Sequence, residues 1–294
     1  MSEDAFAIEL AAVRRSFDRA APHYDESAVL QAEVRAALLT RLDYVRLDPA
    51  VVLDLGCGTG HATRDLTRRF PRARVVAFDL SEGMLREARR QRSWRRPFAR
   101  VCGDVARLPF ATASADLVFS NLTLQWCSRL DAVFAECRRV LKPNGLVNFT
   151  TFGPDTLCEL RAAWSAADGA RHVSDFADMH DIGDGLLRAG LAEPVMDVER
   201  YTLTYPQVRD LMRDLKAIGA HNAAAGRPRG MTGRGRLAAV ESAYESHRVG
   251  GRLPATYEVV FGQAWGPAGE PRRSRRQGEF VLAADGIPRR EGAP

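Results

Sequence analysis

The run Val51-Val52-Leu53-Asp54-Leu55-Gly56-Cys57-Gly58-Thr59-Gly60 constrains the fold of this chain more than any other segment. A short, mostly apolar stretch enters a turn rich in glycine, and Ala62, Leu66 and Phe70 then recur at helical spacing. A buried strand, a tight turn and a helix in that order open a βαβ unit. Glycines at 56, 58 and 60 let the main chain turn sharply and bring its amide groups close to a ligand with no Cβ in the way.

The alternation continues along the chain. Residues 74–78, 98–102, 115–120 and 146–152 read as further strands, 82–91 and 130–140 as helices, and Pro143-Asn144-Gly145 as a turn. Strands alternating with helices at this spacing predict an α/β fold, a mostly parallel sheet covered on both faces. Beyond Gly153 the rhythm changes: 155–190 reads as helical and irregular, 195–205 as a strand, 206–249 as helical with an Arg/Gly-rich interruption, and 256–265 as a last strand. Two late strands separated by a long excursion fit an antiparallel edge hairpin whose connections have grown into a lid. Ahead of the first strand, Phe6, Leu10, Val13 and Phe17 share a helical face, Pro22 interrupts it, and Val29, Val34, Leu38, Leu39 and Leu42 resume it. The resulting division is an N-terminal helical cap (1–46), a ligand-binding core (47–153), lid helices with the last two strands (154–265) and a polar, Pro/Gly-rich tail (266–294).

Composition excludes more than it selects. With 294 residues, 46% hydrophobic, the chain has ample material for a core. The net charge of +5 comes almost wholly from arginine, since Lys142 and Lys216 are the only lysines. Arginine suits carboxylate or phosphate partners, and a coding bias explains the same count. Cys57, Cys102, Cys127, Cys137 and Cys158 form no CxxC pair and read as buried reduced thiols. Acids precede the first apolar run, and no stretch is long and apolar enough to cross a bilayer, so a cytoplasmic location is expected, with no membrane or nucleic-acid partner.

Asp79 ends the second expected strand, and an acid there can accept both hydroxyls of an adenosine ribose. The glycine spacing departs from GxGxxG, and the preceding Asp54 suits a ligand with a cationic amino group better than a pyrophosphate, which argues against a dinucleotide oxidoreductase. Each acid has a plainer role as well: Asp54 as a turn or helix cap, Asp79 as the cap of the helix from Ser81, Asp104 as a turn residue. Asn121 after the fourth strand either faces the same crevice or closes a strand-end hydrogen bond.

Taken together, DLGCGTG, AFDLS, CGDVARLPF and ADLVFSN resemble the class I S-adenosylmethionine-dependent methyltransferases, which are Rossmann-like with a seven-stranded sheet. The resemblance implies S-adenosyl-L-methionine as cofactor, bound by Asp54, Gly56, Cys57, Gly58, Gly60, Asp79, Leu80, Asp104, Val105 and Asn121. The glycine loop then passes the methionine part, the acid at 79 holds the ribose and the acid at 104 lies near the adenine amino group.

A narrower likeness is carried by SFDRAAPHYDESAVLQ in the cap, LTLQWCSRLDAVFAECRRVLKPNGLVNFTTFGPDTLCELRAAW across the fifth strand, and HVSDFADMHDIGDGLLRAGLAEPVMDVERYTLTY beyond it. With LMRDLKAIGAHNAAAGRPRGMTGRGRL and LPATYEVVFGQAW, these phrases resemble the malonyl-[acyl-carrier protein] O-methyltransferases of biotin synthesis over roughly positions 14 to 265. That resemblance implies methylation of the free carboxylate of a malonyl thioester carried by acyl carrier protein or coenzyme A. Such a carboxylate is ionised near neutral pH and needs placement and dry surroundings more than a base. No metal is implied, and no clustered His/Cys ligand spacing is present.

Catalytic candidates are Tyr24, Asn121 and Gln125. His23, Tyr24 and Gln31 lie on the cap that can fold over the cofactor, where Tyr24 either bonds the methionine carboxylate or packs as an aromatic. Gln125 and Trp126 either line the acceptor channel or, for Trp126, join the core, and His221-Asn222 either face the substrate or polarise a helix junction. Arg227, Arg229, Arg234 and Arg236 stand on a glycine-rich loop, either docking an acidic carrier or simply solvated, and the tail run RRSRR at 272–276 is a weaker basic signal. Three rivals remain at this level: a relative of complex I assembly protein-arginine hydroxylases, on the strength of LPATYEVVFGQAW; another methyltransferase of the same fold; and a binding module without catalysis, which the intact DLGCGTG and Asp79 oppose.

Overall fold

A computed structural model describes residues 9–94, 96–168, 172–220 and 233–268. The cap comprises α1 (Leu10–Ala20), the short α2 (Tyr24–Ser27) and α3 (Val29–Arg41). The core follows as β1 (Val51–Leu55), α4 (His61–Arg69), β2 (Arg74–Asp79), α5 (Glu82–Ala88), β3 (Ala99–Cys102), β4 (Ala115–Ser120), α6 (Leu130–Val140) and β5 (Leu141–Phe152). Helices α7 (Cys158–Ala167) and α8 (Met179–Arg188) lead to β6 (Ala192–Tyr205), and α9 (Val208–Ala217) and α10 (Arg234–Tyr244) lead to β7 (Leu253–Trp265).

The seven strands form one sheet in the order β3-β2-β1-β4-β5-β7-β6. Strands β1 to β5 pair in parallel, and β7 runs antiparallel to both β5 and β6, which is the expected edge hairpin. Neighbouring strand residues point to opposite faces, and they divide between two apolar clusters. Val52, Val75, Leu117, Phe119 and Phe261 join the cluster under the cap and α4, while Leu53, Val76, Val118, Phe149 and Val260 join the one under α6 and α8. Because both faces are covered, β1, β2 and β4 are nearly continuous apolar runs, which is why they are legible from sequence.

Four boundaries differ from expectation. Strand β5 starts at Leu141, and the Pro143-Asn144-Gly145 turn is carried within it: Asn144 adopts φ 61°, and pairing with β4 shifts between Ala115↔Leu141 and Leu117↔Leu146. Strands β6 and β7 start ahead of Val195 and Thr256, taking in Pro194 and Pro254. Pro194 falls where the register with β7 shifts and Pro254 lies at the start of its strand, positions where a missing N–H is tolerated. Helix α10 begins at Arg234, so Arg234 and Arg236 occupy a first helical turn instead of a loop.

The cysteines divide differently as well. All five are free, and Cys57 and Cys137 are buried, but Cys102 and Cys158 are exposed. Cys102 ends the edge strand β3 and Cys158 opens α7, two places where the fold leaves one side uncovered. Among the described residues no helix is long and apolar enough to cross a membrane.

Candidate active site

The carboxyl ends of the parallel strands, the cap and the segments after β5 enclose a cavity of about 290 Å³. Open α/β sheets bind ligands at this end. Gly56, Gly58 and Gly60 all have positive φ, at +70°, +53° and +85°, for different reasons. A Cβ on Gly56 would stand 2.0 Å from Thr123 Oγ1, and one on Gly60 would stand 2.8 Å from the Cβ of Ala88. One on Gly58 would meet no protein atom within 4 Å, because Gly58 borders the cavity.

The expectation that the loop turns its amides to a ligand is corrected at these positions. Gly56 and Cys57 donate to the Phe78 carbonyl at 2.7 and 3.0 Å, and Gly60 donates to the Cys57 carbonyl at 3.0 Å. Gly58 donates to Asp79 Oδ2 at 2.9 Å. These bonds tie the loop to the end of β2 and hold its left-handed turns. Four amides turned inward make a poor pyrophosphate cradle, since anions are bound by free N–H groups, and a better wall for a cation.

Asp79 is the hub of this half. Its Oδ1 accepts the Ser81 amide at 2.8 Å, so each oxygen holds one backbone donor and keeps a lone pair for another. Burial pushes its carboxyl up to about 6, against the pull of the two amides. Leu80, Asp104 and Val105 line the same wall, with Asp104 Oδ1 accepting the Ala106 amide at 2.9 Å. Asp54, Cys57 and Gly60 stand behind the loop and do not line the cavity. Asp54 is buried and accepts the Thr63 hydroxyl at 2.5 Å, and burial pushes it up to about 7. It props the loop from β1, because its side chain points to α4, not to the ligand space.

The cap is fastened to this wall by carboxylates. Asp18 Oδ1 accepts the Ser81 hydroxyl at 2.6 Å and the Gly83 amide at 2.9 Å. Asp25 accepts the Thr59 hydroxyl at 2.6 Å and holds His61 Nε2 at 2.9 Å. Tyr24 and Gln31 line the cavity, whereas His23 is exposed and pairs with Glu26. Burial, with the Asp79 charge adding to it, holds the Tyr24 phenol well above its usual range, so Tyr24 is a neutral donor. Gln31 Oε1 is buried with no hydrogen-bond partner, an acceptor aimed at nothing the protein supplies.

Asn121 lines the cavity and also closes strand-end bonds, donating to the Gln31 carbonyl at 3.1 Å and accepting the Thr150 hydroxyl at 3.0 Å. Gln125 likewise lines it while donating to the Leu122 carbonyl at 2.7 Å. Trp126 meets Phe17 edge-on at 5.3 Å, and both border the space. Arg234 and Arg236 are exposed on α10, and Arg236 reaches Asp168 at 3.4 Å. Arg227, Arg229, His221, Asn222 and the 272–276 run lie outside the described residues.

A family model described as a methyltransferase domain matches residues 53–149. The malonyl-[acyl-carrier protein] O-methyltransferase of Methylovorus sp. (strain MP688) is 55% identical over 91% of this chain and 92% of its own. That of Laribacter hongkongensis is 54% identical over 95% and 97%, and Coxiella burnetii has one 40% identical over 99% and 100%. This chain belongs to the malonyl-[acyl-carrier protein] O-methyltransferase family. Among solved structures, a Bacillus halodurans C-125 protein described as a methyltransferase superposes with a TM-score of 0.57 at 18% identity, covering 79% of this chain and 98% of that one, which shows the shared fold.

Membership spans cap, core and lid, so features outside the glycine motif belong to the family's architecture too. Several escape sequence reasoning. Leu122 and Leu157 both line the cavity with positive φ, 49° and 56°, a conformation that costs a branched side chain energy and concentrates at working sites. Arg129, exposed on the loop before α6, borders the cavity too. His172 lines it from the segment between α7 and α8 and is held by Asp168. All four fall within the longer phrases that carry the family resemblance, but nothing in those phrases singles them out. Asp18 and Asp25 lie within the cap phrase, and the acids in SFDRAAPHYDES were the available signal.

Proposed function

We propose that this chain methylates the free carboxylate of malonyl-[acyl-carrier protein], using S-adenosylmethionine. The observation that carries the reading is identity of 50 to 55% to several malonyl-[acyl-carrier protein] O-methyltransferases over at least 91% of the chain, which includes the cap and lid where acceptors are chosen. The site fits the cofactor on its own terms. Gly58 leaves a cradle that a side chain would fill, Asp79 keeps lone pairs for two ribose hydroxyls, and Gln31 Oε1 is an acceptor suited to an ammonium group. Asp104, Leu80 and Val105 would border the adenine, and Tyr24 would close the cap over the amino-acid part.

When bound, S-adenosylmethionine supplies an electrophilic methyl group on a sulfonium. The acceptor carboxylate is already ionised at neutral pH, so the protein's task is to align it and exclude water. Asn121 and Gln125 have both ends of their amides engaged, which suits wall-forming groups of fixed position. The apolar residues after β5 keep the acceptor half dry. Charge at the surface suits an acidic carrier protein as the vehicle: α10 opens with Arg234 and Arg236 and has no acid in its first turn. Cations there oppose the helix dipole, and an acidic partner offsets both.

The test is transfer of label from methyl-labelled S-adenosylmethionine. Malonyl-carrier protein should become labelled and acetyl-carrier protein, lacking the carboxylate, should not. Equal labelling of both, or of neither, contradicts the reading.

A further inference from the structure

Resting on that function, we infer that His172, oriented by Asp168, receives the free carboxylate of the acceptor. The argument starts from charge. Among the described residues lining the cavity, only Arg129 and His172 can carry a positive charge, against the carboxylates of Asp79, Asp104 and Asp214. An anionic acceptor entering this field needs a positive partner within the wall. Arg129 is exposed on the loop before α6, so water screens it. His172 stands instead among the apolar groups after β5, with Phe152, Leu160, Val173, Phe176, Leu203 and Tyr257 as fellow lining residues.

The histidine is also built into place. Its ring stacks on Trp164 with centroids 3.7 Å apart and planes 16° from parallel. Its side chain is only 14% exposed, and Nε2 lies 3.0 Å from both oxygens of Asp168. Stacking fixes the plane and the carboxylate fixes the rotation within it, so Nε2 carries the proton facing Asp168. Nδ1 has no partner among the described residues. Nδ1 is then the ring nitrogen left for the acceptor, and a carboxylate binds there when that nitrogen carries a proton.

This pairing matches what the nucleophile requires. A guanidinium engages both oxygens of a carboxylate in a fork. A histidine backed by an aspartate gives one directed donor and little net charge, so one oxygen is held and the other stays free to attack. Arg236, 3.4 Å from Asp168, links this couple to the basic start of α10. His172 is thus a substrate-binding residue and Asp168 a positioning residue. The other anion on the acceptor, the phosphate of its pantetheine arm, is the competing occupant.

Two variants separate the parts played by the two ring nitrogens. In His172→Gln the amide replaces Nε2 and keeps a partner for Asp168, but nothing replaces Nδ1; in His172→Asn the amide replaces Nδ1. With intact protein, kcat/KM for malonyl-carrier protein should fall about tenfold or more in His172→Gln, mainly through KM, with partial recovery in His172→Asn. S-adenosylhomocysteine affinity should stay within about twofold of wild type, which shows that the variant is folded. The inhibition constant of butyryl-carrier protein, which has the arm but no carboxylate, should not change. An unchanged KM for the malonyl substrate overturns the assignment, and so does a parallel rise in the butyryl inhibition constant, which would place the arm or its phosphate at His172. Absence of any methyl ester from the wild type sinks the functional reading instead, and this inference with it.

Discussion

The two halves of the cavity are built on different plans. Over β1, β2 and β3 the wall is backbone and carboxylate: a loop of left-handed glycines tied to Phe78 and Asp79, with polar groups facing the ligand space. Over β5, β7 and β6 the wall is apolar side chains from scattered segments, with one histidine couple set into it. The first half is held by hydrogen bonds from the β1–α4 loop to the end of the adjacent strand β2 and by two carboxylates of the cap, the second by packing of apolar side chains from segments far apart in the chain. The difference teaches that the part handling an invariant reagent is local and rigid, while the part choosing the acceptor is assembled by tertiary contacts and can vary without disturbing the loop.

Four perturbations sharpen or break that contrast. The largest effect is expected from Gly58→Val, whose side chain projects into the cavity: S-adenosylhomocysteine affinity by calorimetry should drop about a hundredfold or more, with modest loss of melting temperature. Its counterpart Gly60→Val meets Ala88 and should instead destabilise the fold by about 2–4 kcal/mol, the sum of a strained φ and an overpacked contact. If both act alike, the separate roles of the glycines are wrong.

A second effect follows from Asp79. Burial raises its carboxyl to about 6, so it is ionised above that pH and protonated below it, and a protonated carboxyl loses acceptor sites. Titration between pH 8 and pH 5 should therefore weaken S-adenosylhomocysteine binding about tenfold as the pH falls. Flat affinity across that range would remove the ribose from Asp79.

Smaller still, Asp25→Asn loosens the cap from Thr59 and His61. A rise of about threefold in the cofactor dissociation constant is expected, the scale of losing one part-exposed charged hydrogen bond. The least change should come from Arg234→Glu, on the order of twofold in KM for the carrier protein at low salt and none at high salt, as expected of a screened surface charge. Cofactor affinity should be untouched, and a change there would tie α10 to the wrong half.

Legibility from sequence follows the same division. The strands of the core were readable because each is an apolar burst covered on both faces, and the glycine loop because its residues are contiguous. The direction of its amides was not: whether Gly56 and Gly58 donate outward or to Phe78 and Asp79 depends on how the neighbouring strand ends, which no spacing encodes. The direction of Asp54 was not legible for the same reason, since an acid at the end of β1 can point to either side, and here it points to Thr63. Trp164, Asp168 and His172 stand four residues apart and meet locally, but that they border the cavity depends on where α7 and the segment after it pack. The turn at Pro143–Gly145 separates a helix from the fifth strand by local rule, yet pairing with β4 carries the strand back through it to Leu141.

The central claim is that one continuous cavity seats the cofactor over Asp79 and Gly58 and the acceptor against the wall after β5. A crystal structure with S-adenosylhomocysteine and a malonyl-pantetheine analogue tests it most directly. The account predicts ribose hydroxyls on Asp79, the thioether facing away from α5 toward the acceptor half, and the malonyl carboxylate on His172 Nδ1. A ribose held elsewhere, or an acceptor entering over β3, would contradict it.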